Sequence, residues 1–90
     1  MRPTAVTEEA VLRAVIRSLV AELELPAGRE PEPDAVFADL GLDSVGVGVL
    51  AGDLEREFGR SVPPELIYDH PTPRLLAAWV AGLAGAGGNG

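Results

Sequence analysis

The chain has 90 residues and a mass of 9.3 kDa, which is enough for one domain with a small core. Fourteen acidic residues against seven arginines give a net charge of −7, which disfavours nucleic acid and anionic membranes and favours basic protein surfaces as partners. With no cysteine and one histidine, disulfides are excluded and a zinc cluster is disfavoured.

No apolar run approaches the roughly 20 residues that a bilayer span needs, and no secretory segment opens the chain. We therefore expect a soluble, cytoplasmic monomer that has no membrane partner. Its expected limits are a flexible N-terminus over residues 1–6, one folded domain over residues 7–83 and a disordered glycine-rich tail over residues 84–90.

The first predicted element is an amphipathic helix from Thr7 to about Glu24. Thr7 can cap its N-terminus, and Pro26 cannot continue it. Apolar residues recur along it at steps of three and four: Val11, Leu12, Val15, Ile16, Leu19, Val20 and Leu23. From Leu25 to Ala35, prolines, glycine and charges predict a long ordered loop, after which Phe37 and Leu40 return to the core.

The second predicted helix begins at Ser44 and ends at Phe58, where Gly59 is suited to a left-handed cap. One face is apolar and predicts the core: Val47, Leu50, Leu54 and Phe58. Val45 and Val49 fall on the opposite face and are expected to be exposed to solvent.

A short helix over Glu65–Tyr68 and a last helix starting after Thr72 complete the pattern. The buried positions predicted for the last helix are Leu75, Leu76, Trp79, Val80 and Leu83. The fold class is therefore all-α, a four-helix bundle of three longer helices and one short third helix.

The sequence offers no set of catalytic residues. His70, the one histidine, stands between Asp69 and Pro71 and is interpreted as a turn residue. The segment around Ser44 does not fit a nucleophile elbow, because Leu42 occupies the position that requires glycine. The glycines of the second helix lack the spacing of a dinucleotide fingerprint. We expect a protein that is not an enzyme and has no metal site.

Ser44 carries the strongest functional signal, because it combines a hydroxyl group, a helix N-terminus and an acidic neighbour. A phosphodiester on its oxygen would lie near the free N–H groups of the helix. The structural alternative is that Ser44 is only an N-cap.

Three segments together resemble the acyl carrier protein family, in the form found in polyketide synthases. Asp39–Val45 resembles the D-L-G-x-D-S-L attachment motif, and Leu54–Gly59 resembles the L-E-x-x-F-G run. Ile67–Thr72 resembles the F-x-H-P-T stretch of polyketide synthase and peptide synthetase carriers. The resemblance covers about residues 7–83 and implies a four-helix bundle whose second helix starts at the modified serine.

By this resemblance, a phosphopantetheinyl transferase attaches 4′-phosphopantetheine covalently to Ser44, and Asp43 helps that enzyme to recognise the site. The thiol of the arm then holds acyl intermediates as thioesters. The implied partners are an acyltransferase, a ketosynthase or other acyl-processing enzymes of polyketide or related secondary metabolism.

The second helix departs from the acidic pattern of many family members. Val45 and Val49 are hypothesised to form an apolar partner surface flanked by Asp43 and Asp53. Two alternatives stay open. One is a peptidyl carrier, although that class usually shows G-G-D-S where this chain has Leu42 before the aspartate. The other is a helical interaction module that binds its partner without covalent modification.

Overall fold

The chain folds into four α-helices and one 3-10 helix, as seen in a computed structural model that describes residues 6–88, with side chains to Gly82. The α-helices are α1 (Glu8–Glu22), α2 (Ser44–Phe58), α3 (Pro64–Asp69) and α4 (Pro73–Gly88), and the 3-10 helix is Phe37–Leu40. Within the described residues there is no strand. The predicted all-α bundle of three longer helices and a short third helix is confirmed.

Both ends of α1 are defined by hydrogen bonds that the local sequence supplies. Thr7 Oγ1 accepts the Ala10 N–H at 3.1 Å, which confirms the predicted cap. At the other end, the N–H of Leu25 bonds to the carbonyl of Val20 at 3.0 Å, and Glu24 has a positive φ of 53°. This Schellman arrangement, two residues before Pro26, ends the helix at Glu22 and not at Glu24 as predicted.

The core lies where α1, α2 and α4 meet, closed on one side by α3. Most predicted core positions are buried, and the fully buried ones include Leu19, Leu50, Leu54 and Leu76. Ile67 of α3 is fully buried as well. Leu75 is a correction, because it is 49% exposed, while Ala77 is buried in the core. Since successive helical residues point about 100° apart, a helix that buries positions 76, 77 and 80 turns position 75 outward.

The long loop between α1 and α2 is tied to the start of α4. The N–H of Arg74 bonds to the carbonyl of Pro33 at 2.9 Å, and its Nε donates to Asp34 at 2.8 Å. That hydrogen bond and the Asp34 charge raise the pKa of Arg74. The N–H of Phe37 bonds to the carbonyl of Pro71 at 2.8 Å. These bonds hold the end of the loop in place before the chain turns into α2.

The predicted domain limits stay a prediction, and two features of the chain ends lie close to them. Val6 belongs to the predicted flexible N-terminus, yet it is half-buried and packs against the core. The backbone of α4 continues to Gly88, five residues beyond residue 83. Residues 1–5, the side chain of Leu83 and residues 89–90 lie outside the described part.

Candidate functional site

A tight turn between the 3-10 helix and α2 presents Ser44. Gly41 ends the 3-10 helix in a left-handed conformation (φ 90°), which favours glycine. The N–H of Leu42 then bonds back to the carbonyl of Phe37 at 3.2 Å. Because Phe37 is itself bonded to Pro71, the turn is anchored to the segment that leads into α4. Ser44 follows as the first residue of α2.

Asp43, and not Ser44, is the N-cap of α2. Its Oδ1 accepts the Gly46 N–H at 2.8 Å, and its carbonyl accepts the Val47 N–H at 2.9 Å. The alternative in which Ser44 serves as the N-cap is therefore wrong. Both residues could cap a helix, and the structure assigns this role to the aspartate.

The Ser44 hydroxyl is available for modification. Ser44 is exposed, and its side chain forms no hydrogen bond with the described part of the chain. At the start of α2, the Ser44 and Val45 N–H groups also have no acceptor among residues 6–88, whereas the Gly46 N–H is occupied by Asp43. A phosphodiester at Ser44 thus fits sterically and finds two N–H donors nearby, but it shares the positive helix end with a carboxylate. The attraction of the phosphodiester to the positive end of the α2 dipole is therefore weaker than expected from the sequence.

Two of the three valines of α2 are exposed as predicted, with 69% of Val45 and 41% of Val49 accessible to solvent. Gly48 is also exposed on this side of the helix. We call Val45, Gly48 and Val49 the valine face. It adjoins Ser44 directly, since Val45 is the next residue of α2.

Asp53 stands one helical turn after Val49 in α2, and its carboxylate is engaged within the chain. Its carboxylate accepts a hydrogen bond from Ser18 Oγ at 2.7 Å and forms an ion pair with Arg56. Ser18 belongs to α1, so Asp53 is turned towards the contact between α1 and α2. The carboxylate of Asp43 is likewise engaged, as the helix cap. Of the five residues singled out from the sequence, Asp43, Ser44 and Val45 are consecutive, and Val49 and Asp53 follow at intervals of one helical turn. The part of Asp53 in a partner surface stays a prediction.

His70 has a structural setting. It is the C-cap of α3, its Nδ1 lies 2.9 Å from the carbonyl oxygen of Leu66, and its ring is tilted against Trp79 at a centroid distance of 5.7 Å. Nδ1–H as donor to the carbonyl satisfies this contact. Among the described residues, no group of three or more histidine, cysteine or acidic side chains is placed to hold a metal ion. Nor is any helix of that part long and apolar enough to cross a membrane.

A small apolar cavity opens beside the turn, with a volume of about 230 Å³. Its lining residues come from the loop, the 3-10 helix, the turn, α2, α3 and the segment that follows α3. They are Val36, Phe37, Ala38, Leu42, Val47, Ile67, Tyr68 and Pro71. In the sequence, Leu42 served to exclude a nucleophile elbow and to separate carrier classes, and its position between the cavity and α2 was not predicted. No local signal gave this position, because a single apolar side chain in a turn can be either exposed or packed.

Comparison with family models matches residues 13–80 to the family described as phosphopantetheine attachment site. Among curated proteins, a phenolphthiocerol synthesis polyketide synthase type I of Mycobacterium bovis is 37% identical over 73 residues, or 81% of this chain. The 6-methylsalicylic acid synthase of Penicillium patulum is 38% identical over 80 residues, or 88% of this chain. The chain spans 4% of the length of each of these proteins.

A solved structure of similar fold is a free-standing peptidyl carrier protein from an uncharacterized secondary metabolic pathway of Acinetobacter baumannii. The TM-score is 0.81, the sequence identity is 24%, and the match covers 89% of this chain and 99% of that one. At this identity the likeness establishes the fold alone. It agrees with the helical bundle described above.

Proposed function

The chain belongs to the phosphopantetheine attachment site family, whose members carry covalently attached 4′-phosphopantetheine, and we propose that Ser44 is the attachment residue of an acyl carrier. The observation that carries this proposal is the free Ser44 hydroxyl at the first position of α2, beside an aspartate that caps the helix in its place. When bound, the group supplies a thiol that holds an acyl intermediate as a thioester. By family, such carrier domains are not catalytic.

The roles of the protein's own residues follow from the turn. Ser44 Oγ forms the new bond to phosphorus while the pyrophosphate bond of coenzyme A breaks. Adenosine bisphosphate is the leaving group, and the hydroxyl proton goes to a base of the transferase. Asp43 holds the first turn of α2 in place and adds negative charge beside the reacting hydroxyl. We assign to this charge the recognition by a phosphopantetheinyl transferase that receives coenzyme A as co-substrate.

We further propose that the carried groups are acyl chains of polyketide or related secondary metabolism. The similar polyketide synthases support this assignment, and so does Leu42, which stands where peptidyl carriers usually have the second glycine. The solved structure of similar fold is a peptidyl carrier, but at 24% identity it supports the fold only. The peptidyl carrier stays the alternative. A monomeric state and a cytoplasmic location remain predictions.

Carrier domains of polyketide synthases interact with acyl-processing enzymes. In this chain we propose that a ketosynthase, an acyltransferase or another such enzyme contacts the valine face. Two exposed valines next to Ser44 support an apolar contact, and the engagement of Asp53 with Ser18 and Arg56 argues against a purely electrostatic one.

The attachment is tested by intact-protein mass after incubation with coenzyme A, magnesium and a broad-specificity phosphopantetheinyl transferase. We expect one phosphopantetheine increment on the wild type and none on Ser44→Ala. Ser61→Ala is the matched control, because Ser61 is also exposed and should leave the increment unchanged. A folded wild type without an increment would refute the carrier proposal and favour the interaction module that binds without covalent modification.

The valine face is tested by Val49→Asp in the loaded protein. The control is Leu75→Asp, which introduces the same charge at a residue of similar exposure, 49% against 41%, on another helix. We expect Val49→Asp to slow acyl transfer by a partner enzyme and Leu75→Asp to leave it unchanged. Equal rates in both variants would exclude the valine face as the contact surface.

A further inference from the structure

The backbone of Gly46 lies directly against the side chain of Leu42, in the first turn of α2. We propose that Gly46 is a positioning residue for the modification of Ser44, because its missing side chain lets Leu42 pack there and so fixes the turn that presents the serine. This inference rests on the proposed function. It concerns how the turn is held, and Gly46 itself touches neither the hydroxyl nor the arm in this proposal.

The close approach is visible in the space around Gly46, which is buried. A Cβ added to Gly46 would lie 2.5 Å from Leu42 Cδ1 and 3.3 Å from both Leu42 Cγ and Glu22 Cγ. The first pair of atoms would have to separate by about 0.9 Å to reach the 3.4 Å at which ordinary contact begins. Rotation of the leucine end moves Cδ1 away and leaves Cγ about 0.1 Å inside the distance of ordinary contact. We expect alanine at position 46 to change the Leu42 rotamer and to move its side chain away from α2.

A shift of Leu42 relative to Gly46 would displace Ser44 through two connections. Leu42 is separated from Ser44 only by Asp43, and its side chain is held in the wall of the apolar cavity while its N–H bonds to Phe37. Gly46 also donates its N–H to the Asp43 carboxylate at 2.8 Å. Gly46 thus contacts both residues that precede the serine, one through its Cα and one through its N–H.

Other helical glycines of the described chain lack this contact. A Cβ at Gly48 or Gly82 would meet no atom within 4 Å. Alanine at these positions fits without rearrangement and is the better helix former. Gly82, on α4 and apart from the turn, therefore supplies the control for the general effect of replacing a helical glycine by alanine.

The test is the steady-state rate of phosphopantetheinyl transfer to Gly46→Ala, Leu42→Ala, the double variant, Gly82→Ala and the wild type. We expect Gly46→Ala to lower kcat/KM by about tenfold, mainly through a higher KM for the carrier. The reason is that misplacing a reacting group by about 1 Å can lower the rate by up to about a hundredfold. Gly82→Ala should match the wild type. In the Leu42→Ala background, the Gly46→Ala change should cost much less, because the contacts with Leu42 Cγ and Cδ1 are absent and only the 3.3 Å contact with the Glu22 side chain is left.

Circular dichroism at the assay temperature separates a displaced turn from loss of fold. A purely structural role would lower the folded fraction without changing the KM of the folded protein. Wild-type kinetics in folded Gly46→Ala, or additive losses in the double variant, would overturn the inference. If Gly46→Ala does not fold, a wild-type kcat/KM for Leu42→Ala would overturn it instead. Failure of the wild type to accept the group would count against the proposed function, so the two failures are distinguishable.

Discussion

Replacing Asp43 separates its two assigned roles, capping α2 and marking the site for the transferase. Asp43→Ala removes the acceptor that lies 2.8 Å from the Gly46 N–H. Loss of such a cap typically lowers the free energy of unfolding by about 1 kcal/mol. For a domain of this size, that corresponds to a decrease in Tm of about 4–8 °C.

Asp43→Asn keeps an oxygen acceptor and removes the charge. Asparagine caps helices about as well as aspartate, so the free energy of unfolding should stay close to that of the wild type. Ser44→Ala should change it by less than about 0.5 kcal/mol, because the Ser44 side chain is exposed and does not cap the helix.

The assay is urea unfolding of the three unmodified variants, followed by far-ultraviolet circular dichroism, together with their rates of loading. A loss of about 1 kcal/mol in Ser44→Ala and none in Asp43→Ala would refute the assignment of the cap. Slow loading of a stable Asp43→Asn would establish that the transferase needs the charge. Normal loading of that variant would reduce Asp43 to a structural role.

Three further predictions concern the rest of the bundle. Glu55→Ala should lower the free energy of unfolding by about 1–3 kcal/mol, because it leaves the N–H of buried Val62 without the carboxylate acceptor at 2.7 Å. Glu55→Gln should lower it by less. Equal losses for the two variants in urea unfolding would contradict this. Leu54→Ala should cost about 2–5 kcal/mol in the same assay, since Leu54 is fully buried, whereas a cost below that of Leu75→Ala would refute the assigned core. Amide hydrogen exchange in the unmodified protein should be faster over residues 46–52 than in α1, because three glycines weaken that part of α2; uniform protection would argue against it.

Much of the fold was predictable because its signals are local. The Thr7 cap, the limits of α2 and the exposure of Val45 and Val49 follow from residue type and helical spacing within a few positions. Gly59 was expected to be a left-handed cap and has a φ of 66°. Leu75 was misplaced because it stands at the edge of an apolar stripe. There, the side that packs depends on the neighbouring helix.

At the site, the sequence by itself determined that Ser44 begins a helix after a constrained turn and carries an acidic neighbour. Only the tertiary structure decided which of Asp43 and Ser44 caps that helix. Both side chains have the chemistry of a cap, and the choice depends on the register of the turn, which is set by long-range bonds such as that of Phe37 to Pro71. The same holds for Leu42 and Gly46, whose contact is created by the packing of a turn against a helix and cannot be inferred from residue type alone.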